Sequence, residues 1–131
     1  MEIAVSTHSK TEFIDMTARI QDAVTREGMA SGLCMVYVPH TTAGVTINES
    51  ADPSVQRDIL MVLAQMAPER ADYRHLEGNS SAHVKASLMG ASALVAVTAG
   101  RLVLGTWQGI FFCEFDGPRT RKVHLRFIDS R

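Results

Sequence analysis

Apolar and polar positions along the chain change period several times, and each change marks an element. Glu2–Thr7 reads as a first strand. Phe13, Ile14, Thr17, Ile20 and Val24 recur at helical spacing, and Gly28 stands where that helix would stop. Leu33–Val38 is an unbroken apolar run, the pattern of a strand buried on both faces. Val45 and Ile47 alternate with Thr46 and Asn48, which predicts another strand. Asp52-Pro53 is a helix start, a carboxylate cap followed by proline at the first helical position. That helix is expected to bury Val55, Ile59, Val62, Leu63 and Met66 and to end at Pro68.

Ala67–Gly78 is polar and aperiodic, so it is expected to be a loop. Asn79 then caps a short helix over Ser80–Met89, stopped by Gly90. Four strands should follow, over Ala93–Thr98, Arg101–Leu104, Thr106–Phe115 and Arg119–Ile128. Gly100 and Asp116-Gly117-Pro118 supply turns between them. Helices alternate with strands early, and strands run together late. The pattern predicts an α+β sandwich, one domain over residues 1–131, with a mixed or largely antiparallel sheet and two to three helices.

Composition changes this picture little. The chain is 46% hydrophobic and 21% charged, ordinary values for a globular protein. Its net charge of -1 gives no overall attraction to nucleic acid or to an anionic membrane. No apolar run approaches the roughly 20 residues of a membrane span. Cys34 and Cys113 each sit in an apolar run and form no CxxC pair, so both are expected to be buried thiols. A reducing, cytoplasmic location fits them.

Three segments carry polar chemistry beside apolar residues. The first runs from His40-Thr41-Thr42-Ala43-Gly44 to Asn48-Glu49-Ser50-Ala51-Asp52. His40 follows a strand, and strand ends are where sites are built on rigid scaffolds. It is either a ligand-binding group or a hydrogen-bonded structural histidine. Glu49 either continues the strand on the side of Val45 and Ile47, where an unpaired carboxylate is costly, or lies in the turn that follows. Asp52 is explained by its helix cap alone.

The second segment is His75-Leu76-Glu77-Gly78-Asn79-Ser80-Ser81-Ala82-His83. A helix start with free N–H groups and the Ser80 and Ser81 hydroxyls makes an anion cradle. His83 falls on the first turn, with Ser87 on the same face. His75 and His83 have a spacing within reach of one metal ion, but it matches no standard metal motif.

The third segment spans Gly105–Arg121. In a regular strand Trp107, Phe111, Cys113 and Phe115 share one face, and Gln108, Ile110, Phe112 and Glu114 the other. Gln108 and Glu114 would then be about 20 Å apart, too far for one ligand. Arg119 and Arg121 fall on the side of Val123 and Leu125, where each needs a carboxylate or phosphate partner. An Arg–Asp pair closing the Asp116–Arg119 turn is the structural alternative. His124 is expected to face solvent.

His40–Gly44, Ile47–Pro53, His75–Asn79 with Ala82-His83, Gly105–Gln108 and Glu114–Arg119 resemble, in order and spacing, the YjbQ family. The likeness covers nearly the whole chain. Ser80-Ser81 stands where that family often writes Asp or Ala. The resemblance implies an α+β sandwich, a homotrimer with sites near subunit boundaries, and a weak thiamine-phosphate synthase activity. In that reaction a pyrimidine pyrophosphate joins a thiazole phosphate and pyrophosphate leaves.

Two functions follow as expectations. In the first, the chain is an enzyme acting on a phosphorylated small molecule. His40, His75 and His83 would hold a divalent metal, zinc or alternatively magnesium. Glu49, Asp52, Gln108 and Glu114 would be catalytic, and Asn48, Asn79, Ser80, Arg119 and Arg121 would bind substrate. In the second, a trimeric module binds a small anionic metabolite without turnover. A third reading gives the polar clusters only a structural part in the trimer interface.

Overall fold

The computed structural model describes residues 1–130. Eight strands and three helices follow one another: β1 (Glu2–Ser6), β2 (Glu12–Asp15), α1 (Thr17–Glu27), β3 (Ser31–Tyr37), β4 (Ala43–Glu49), α2 (Pro53–Met66), α3 (Ser80–Met89), β5 (Ser92–Thr98), β6 (Arg101–Leu102), β7 (Gln108–Glu114) and β8 (Thr120–Asp129). They form a five-stranded sheet, β1-β8-β3-β5-β6, and a three-stranded sheet, β2-β7-β4. Every pairing is antiparallel. The fold is therefore the expected α+β sandwich.

Its main core lies between the sheets. Ile3, Val5, Cys34, Val36, Val123 and Leu125 of the large sheet meet Val45, Ile110 and Phe112 of the small one. Ile20, Ala23 and Val24 of α1 complete this cluster. A second cluster covers the outer face of the small sheet, where Phe111, Cys113 and Phe115 pack on Leu63 of α2 and Ala82 and Ala86 of α3. β7 is thus buried on both faces, and each of its phenylalanines contributes roughly 1.5–3 kcal/mol through burial. Both cysteines are free and buried as expected. Burial raises the Cys34 thiol to about 11, which keeps it protonated and unreactive.

Several expectations need correction. Phe13 and Ile14 belong to β2, not to a helix. They alternate across the sheet, Phe13 against Phe111 at 5.9 Å and Ile14 against the main core. The helix begins only where the Asp15 carboxylate accepts from the Thr17 backbone N–H (2.9 Å) and hydroxyl (2.6 Å). Next, β3 is buried on one face rather than two. Cys34 and Val36 point inward, while Leu33 and Tyr37 are 40% and 42% exposed. Leu94 and Ile128, their neighbours on the same face of the adjoining strands, are exposed as well. Finally, α2 is turned away from the predicted stripe. Ile59, Leu60 and Leu63 face the small sheet, leaving Val62 and Met66 exposed. The strands expected over Thr106–Phe115 and Arg101–Leu104 are shorter, and Arg119 precedes β8 rather than lying in it.

No helix among the described residues is long and apolar enough to cross a membrane.

Candidate functional site

Three chain segments meet beside the Glu114 end of β7. The β3–β4 connection supplies His40, Thr41 and Thr42, the segment entering α3 and its first turn supply His75, Glu77, Asn79 and His83, and the β7–β8 turn with the start of β8 supplies Asp116, Arg119 and Arg121. Together they line a pocket of about 420 Å³. A second groove of about 520 Å³ shares His40, Thr41 and His83 with it and runs along α3 past Ala43, Ala86, Gly90 and Ala91. The close seating of α3 on β4 makes this geometry. A Cβ on Gly44 would sit 2.7 Å from the Gly90 carbonyl oxygen, so only glycine lets the helix end approach.

The floor is a buried ion pair. Glu114 is fully buried and Arg121 is 4% exposed. Glu114 accepts from Arg121 Nε (2.9 Å), the Thr7 hydroxyl (2.8 Å) and the backbone N–H groups of Phe115 and Asp116 (both 3.0 Å). Arg121 Nη2 also bonds Glu114 and donates to the Thr42 hydroxyl at 2.9 Å. Burial alone pushes the Glu114 pKa up, but the Arg121 hydrogen bond and the other donors hold it below the ordinary carboxylate value. Arg121 Nη1 has no partner among the described residues and is not fully buried. It is the guanidinium nitrogen left for the pocket.

Asp116 anchors the turn. It accepts from Lys10 Nζ (3.2 Å), Asn79 Nδ2 (3.0 Å) and Arg119 Nη2 (2.9 Å). Burial raises its pKa, and the Asn79 and Lys10 bonds with the Lys10 and Arg119 charges outweigh that and lower it. The Arg119–Asp116 pair closing the turn is the structural alternative foreseen for this arginine. Half of the Arg119 side chain remains exposed at the pocket rim. Gly117 has no room for a Cβ, which would strike the Ser9 carbonyl oxygen and Glu114.

The histidines differ from one another. His75 and His83 stack edge to face with ring centroids 5.3 Å apart. His40 Nε2 accepts the Lys122 backbone N–H at 2.9 Å. Burial lowers the His40 pKa first, and the Arg121 charge lowers it further. The expected three-histidine metal set does not fit this arrangement. Neutral His40 spends the lone pair of Nε2 on β8, which leaves its proton on Nδ1. No group of three or more His, Cys, Asp or Glu side chains is placed to hold an ion among the described residues.

Other expected residues fall elsewhere. Asn79 occupies the cap position of α3, but its amide reaches Asp116 instead of capping. Its Oδ1 is buried without a partner. The Ser81 hydroxyl donates to the Ala67 carbonyl (2.6 Å), so it ties α3 to the end of α2 rather than cradling an anion. Ser80 does not line the pocket. Asn48, Glu49, Asp52 and Gln108 lie at the opposite end of the small sheet, where Glu49 pairs with Gln108 in the ladder. Asp52 caps α2 through Ser54 N (2.9 Å). Glu49 accepts from Ala51 N (3.0 Å), and Gln108 Oε1 from Gly105 N (2.8 Å). A separate cleft of about 630 Å³ there includes Gln108, Asp15, Ser50 and Arg101.

Thr41, Thr42, Glu77 and Asp116 line the pocket without having been candidate residues, and Lys10 supports it from outside through Asp116. Asp116 was assigned only to the turn. Its doublet of acceptor positions between Glu114 and Arg119 was the available signal; Lys10 gave none.

Comparison with known proteins agrees with the fold. A family model described as UPF0047 protein YjbQ-like matches residues 1–130. The chain is 48% identical to the UPF0047 protein YugU of Bacillus subtilis, covering 96% of each. It is 46% identical to a UPF0047 protein of Methanocaldococcus jannaschii over 97% of this chain and 92% of the other. An uncharacterised YjbQ/UPF0047 protein from Clostridium acetobutylicum has a crystal structure that superposes with a TM-score of 0.96 at 52% identity, covering 98% of this chain and 99% of that one. A YbjQ-like protein of unknown function from Sulfolobus solfataricus gives 0.95 at 32% identity, with 99% and 96% covered. With the match running over the full described length, the chain belongs to the YjbQ (UPF0047) family.

Proposed function

We propose that the pocket beside Glu114 binds the phosphate of a small phosphorylated molecule and that the chain is an enzyme acting on it. The observation that carries this reading is the convergence of His40, His75, His83, Arg119 and Arg121 from three distant segments on one pocket. A structural ion pair alone does not call for three imidazoles beside it. Arg121 supports the reading most directly. Its guanidinium is fixed by Glu114 and Thr42, so it gives Nη1 to a ligand at little ordering cost. Arg119 adds an exposed cation at the rim. The adjoining groove past Ala43, Ala86 and Ala91 is less charged and suits the organic part of the ligand.

His75 and His83 are the groups suited to move a proton, since a neutral imidazole donates at one ring nitrogen and accepts at the other. Glu114 and Asp116 are committed to hydrogen bonds and serve as supports. No step is routed through a metal ion. The family resemblance adds one specific substrate pair, a pyrimidine pyrophosphate and a thiazole phosphate, as a weak activity. The alternative, a binding module without turnover, shares the same pocket.

The outer face of the large sheet supports self-association. Leu33 opposes Ile128, and Met35 opposes Leu94, across neighbouring strands. Leu33, Leu94 and Ile128 are 40%, 63% and 54% exposed. Copies joined there would be three in number, as the resemblance implies.

The test is calorimetric titration with inorganic phosphate and pyrophosphate, beside pyrophosphate release from the substrate pair. Binding by the wild type and at least tenfold weaker binding by Arg119→Ala are expected. No binding of either anion by the folded protein overturns the pocket. Binding with no turnover of any phosphorylated substrate favours the non-catalytic module.

A further inference from the structure

His40 departs from the expectation placed on it, and the departure has a consequence for ligand choice. Its Nε2 lies 2.9 Å from the backbone nitrogen of Lys122. That N–H donates only to a ring nitrogen with a free lone pair, so Nε2 carries no proton. A neutral imidazole then has its single proton on Nδ1. A flipped ring would put carbon opposite the Lys122 N–H, so the orientation is fixed by a main-chain donor. Nδ1 has no partner among the described residues and is not a fully buried atom, on a residue that lines both the pocket and its side groove.

We infer that His40 is a specificity-determining donor, an uncharged Nδ1–H held toward the pocket by β8, which selects an oxyanion over a metal ion at this wall. The inference rests on the pocket reading above and names what one side chain contributes to it. To ligate a cation through Nδ1, the ring would have to give up its Lys122 bond or become an imidazolate. To accept an oxyanion it need change nothing. The charged groups facing it are consistent with that role. Arg121 lies on the same side and disfavours a second positive charge, while Glu114 is neutralised by Arg121. The fixed Nδ1–H and the free Nη1 of Arg121 form two donors, one neutral and one charged, of the kind that holds phosphate or carboxylate oxygens.

The experiment is nitrogen NMR of the full chain with 15N-labelled histidine, read without ligand, with zinc alone and with inorganic phosphate. The expected result is a protonated Nδ1 and unprotonated Nε2 for His40, unmoved by zinc and displaced by phosphate. His40→Gln places an amide oxygen near Nε2 and keeps the Lys122 bond but loses the inner donor. It should bind phosphate roughly 10- to 100-fold more weakly. His40→Asn places its amide nitrogen near Nδ1 and should stay within about threefold of the wild type, a contrast that a merely structural histidine would reverse. A protonated Nε2, or a zinc-dependent change at His40 Nδ1, overturns the inference. If phosphate moves His75 and His83 but not His40, the donor role is wrong and the pocket stands. If phosphate moves none of the three, the pocket reading fails and the donor role fails with it.

Discussion

β7 ends in two very different places. At one end Glu114 is fully buried and accepts hydrogen bonds from Arg121, Thr7 and two backbone N–H groups. At the other, six residues away, Gln108 is exposed and accepts from Gly105 N. Both side chains are polar, of similar size and on the same face of one strand. The difference lies in what comes to meet them. Arg121 reaches across from the large sheet to Glu114, and the β3–β4 connection and the α3 entry close over that pair. At the Gln108 end a cleft opens with no fixed charge pair. A polar residue at a strand end becomes part of a site when distant segments converge on it.

The largest effect expected from breaking this contrast is at the ion pair. Removing one partner of a buried pair leaves the other charge uncompensated, so Glu114→Ala should lose about 3–5 kcal/mol of stability. Gln108→Ala should lose under about 1 kcal/mol, since one exposed hydrogen bond goes with it. Urea denaturation of the two variants checks both. Equal losses would erase the distinction between the ends.

Acid sharpens the same comparison. The Glu114 pKa in the folded chain lies below its ordinary 4.5. A depressed carboxylate adds stability that is fully present above the ordinary value and is lost as pH falls through the folded one. The stability gap between wild type and Glu114→Gln should therefore be constant above about pH 5 and narrow only in more acidic solution. Urea midpoints measured from pH 7 downward read this. A gap that widens on acidification would contradict the assignment.

Part of the candidate pocket's lining was legible in the sequence, and the reasons are local. His40 after an apolar run, His83 in the first turn of a helix and Arg121 in phase with Val123 and Leu125 each follow from a period. The 3.3 Å rise of a strand already separated Gln108 from Glu114. What was not legible depends on facing partners. Phe13 and Ile14 fit a helical spacing as well as a strand's alternation, and only pairing with β7 decides between them. The stripe of α2 was misjudged by about one residue's rotation, because Phe111 and Phe115, not the helix, choose which side is covered. The Nε2 bond of His40 comes from Lys122, a neighbour that no spacing rule brings near it. That single contact is what the donor role proposed for His40 rests on.

A smaller effect is expected from Glu49→Gln. It should leave stability and phosphate affinity within about twofold for an isolated chain, because Glu49 bonds only Ala51 N locally. Any loss that appears only at concentrations where the protein self-associates would place this end beside a neighbouring chain's pocket. Light scattering run with the titration distinguishes the cases.

Phosphate titration followed by residue-resolved NMR tests the central contrast in one spectrum series. Saturable shifts should appear at His40, His75, His83, Arg119 and Arg121, with Asn48, Glu49, Asp52 and Gln108 unmoved. Shifts centred on the Gln108 end, or none at the histidines while the fold stays intact, would contradict it.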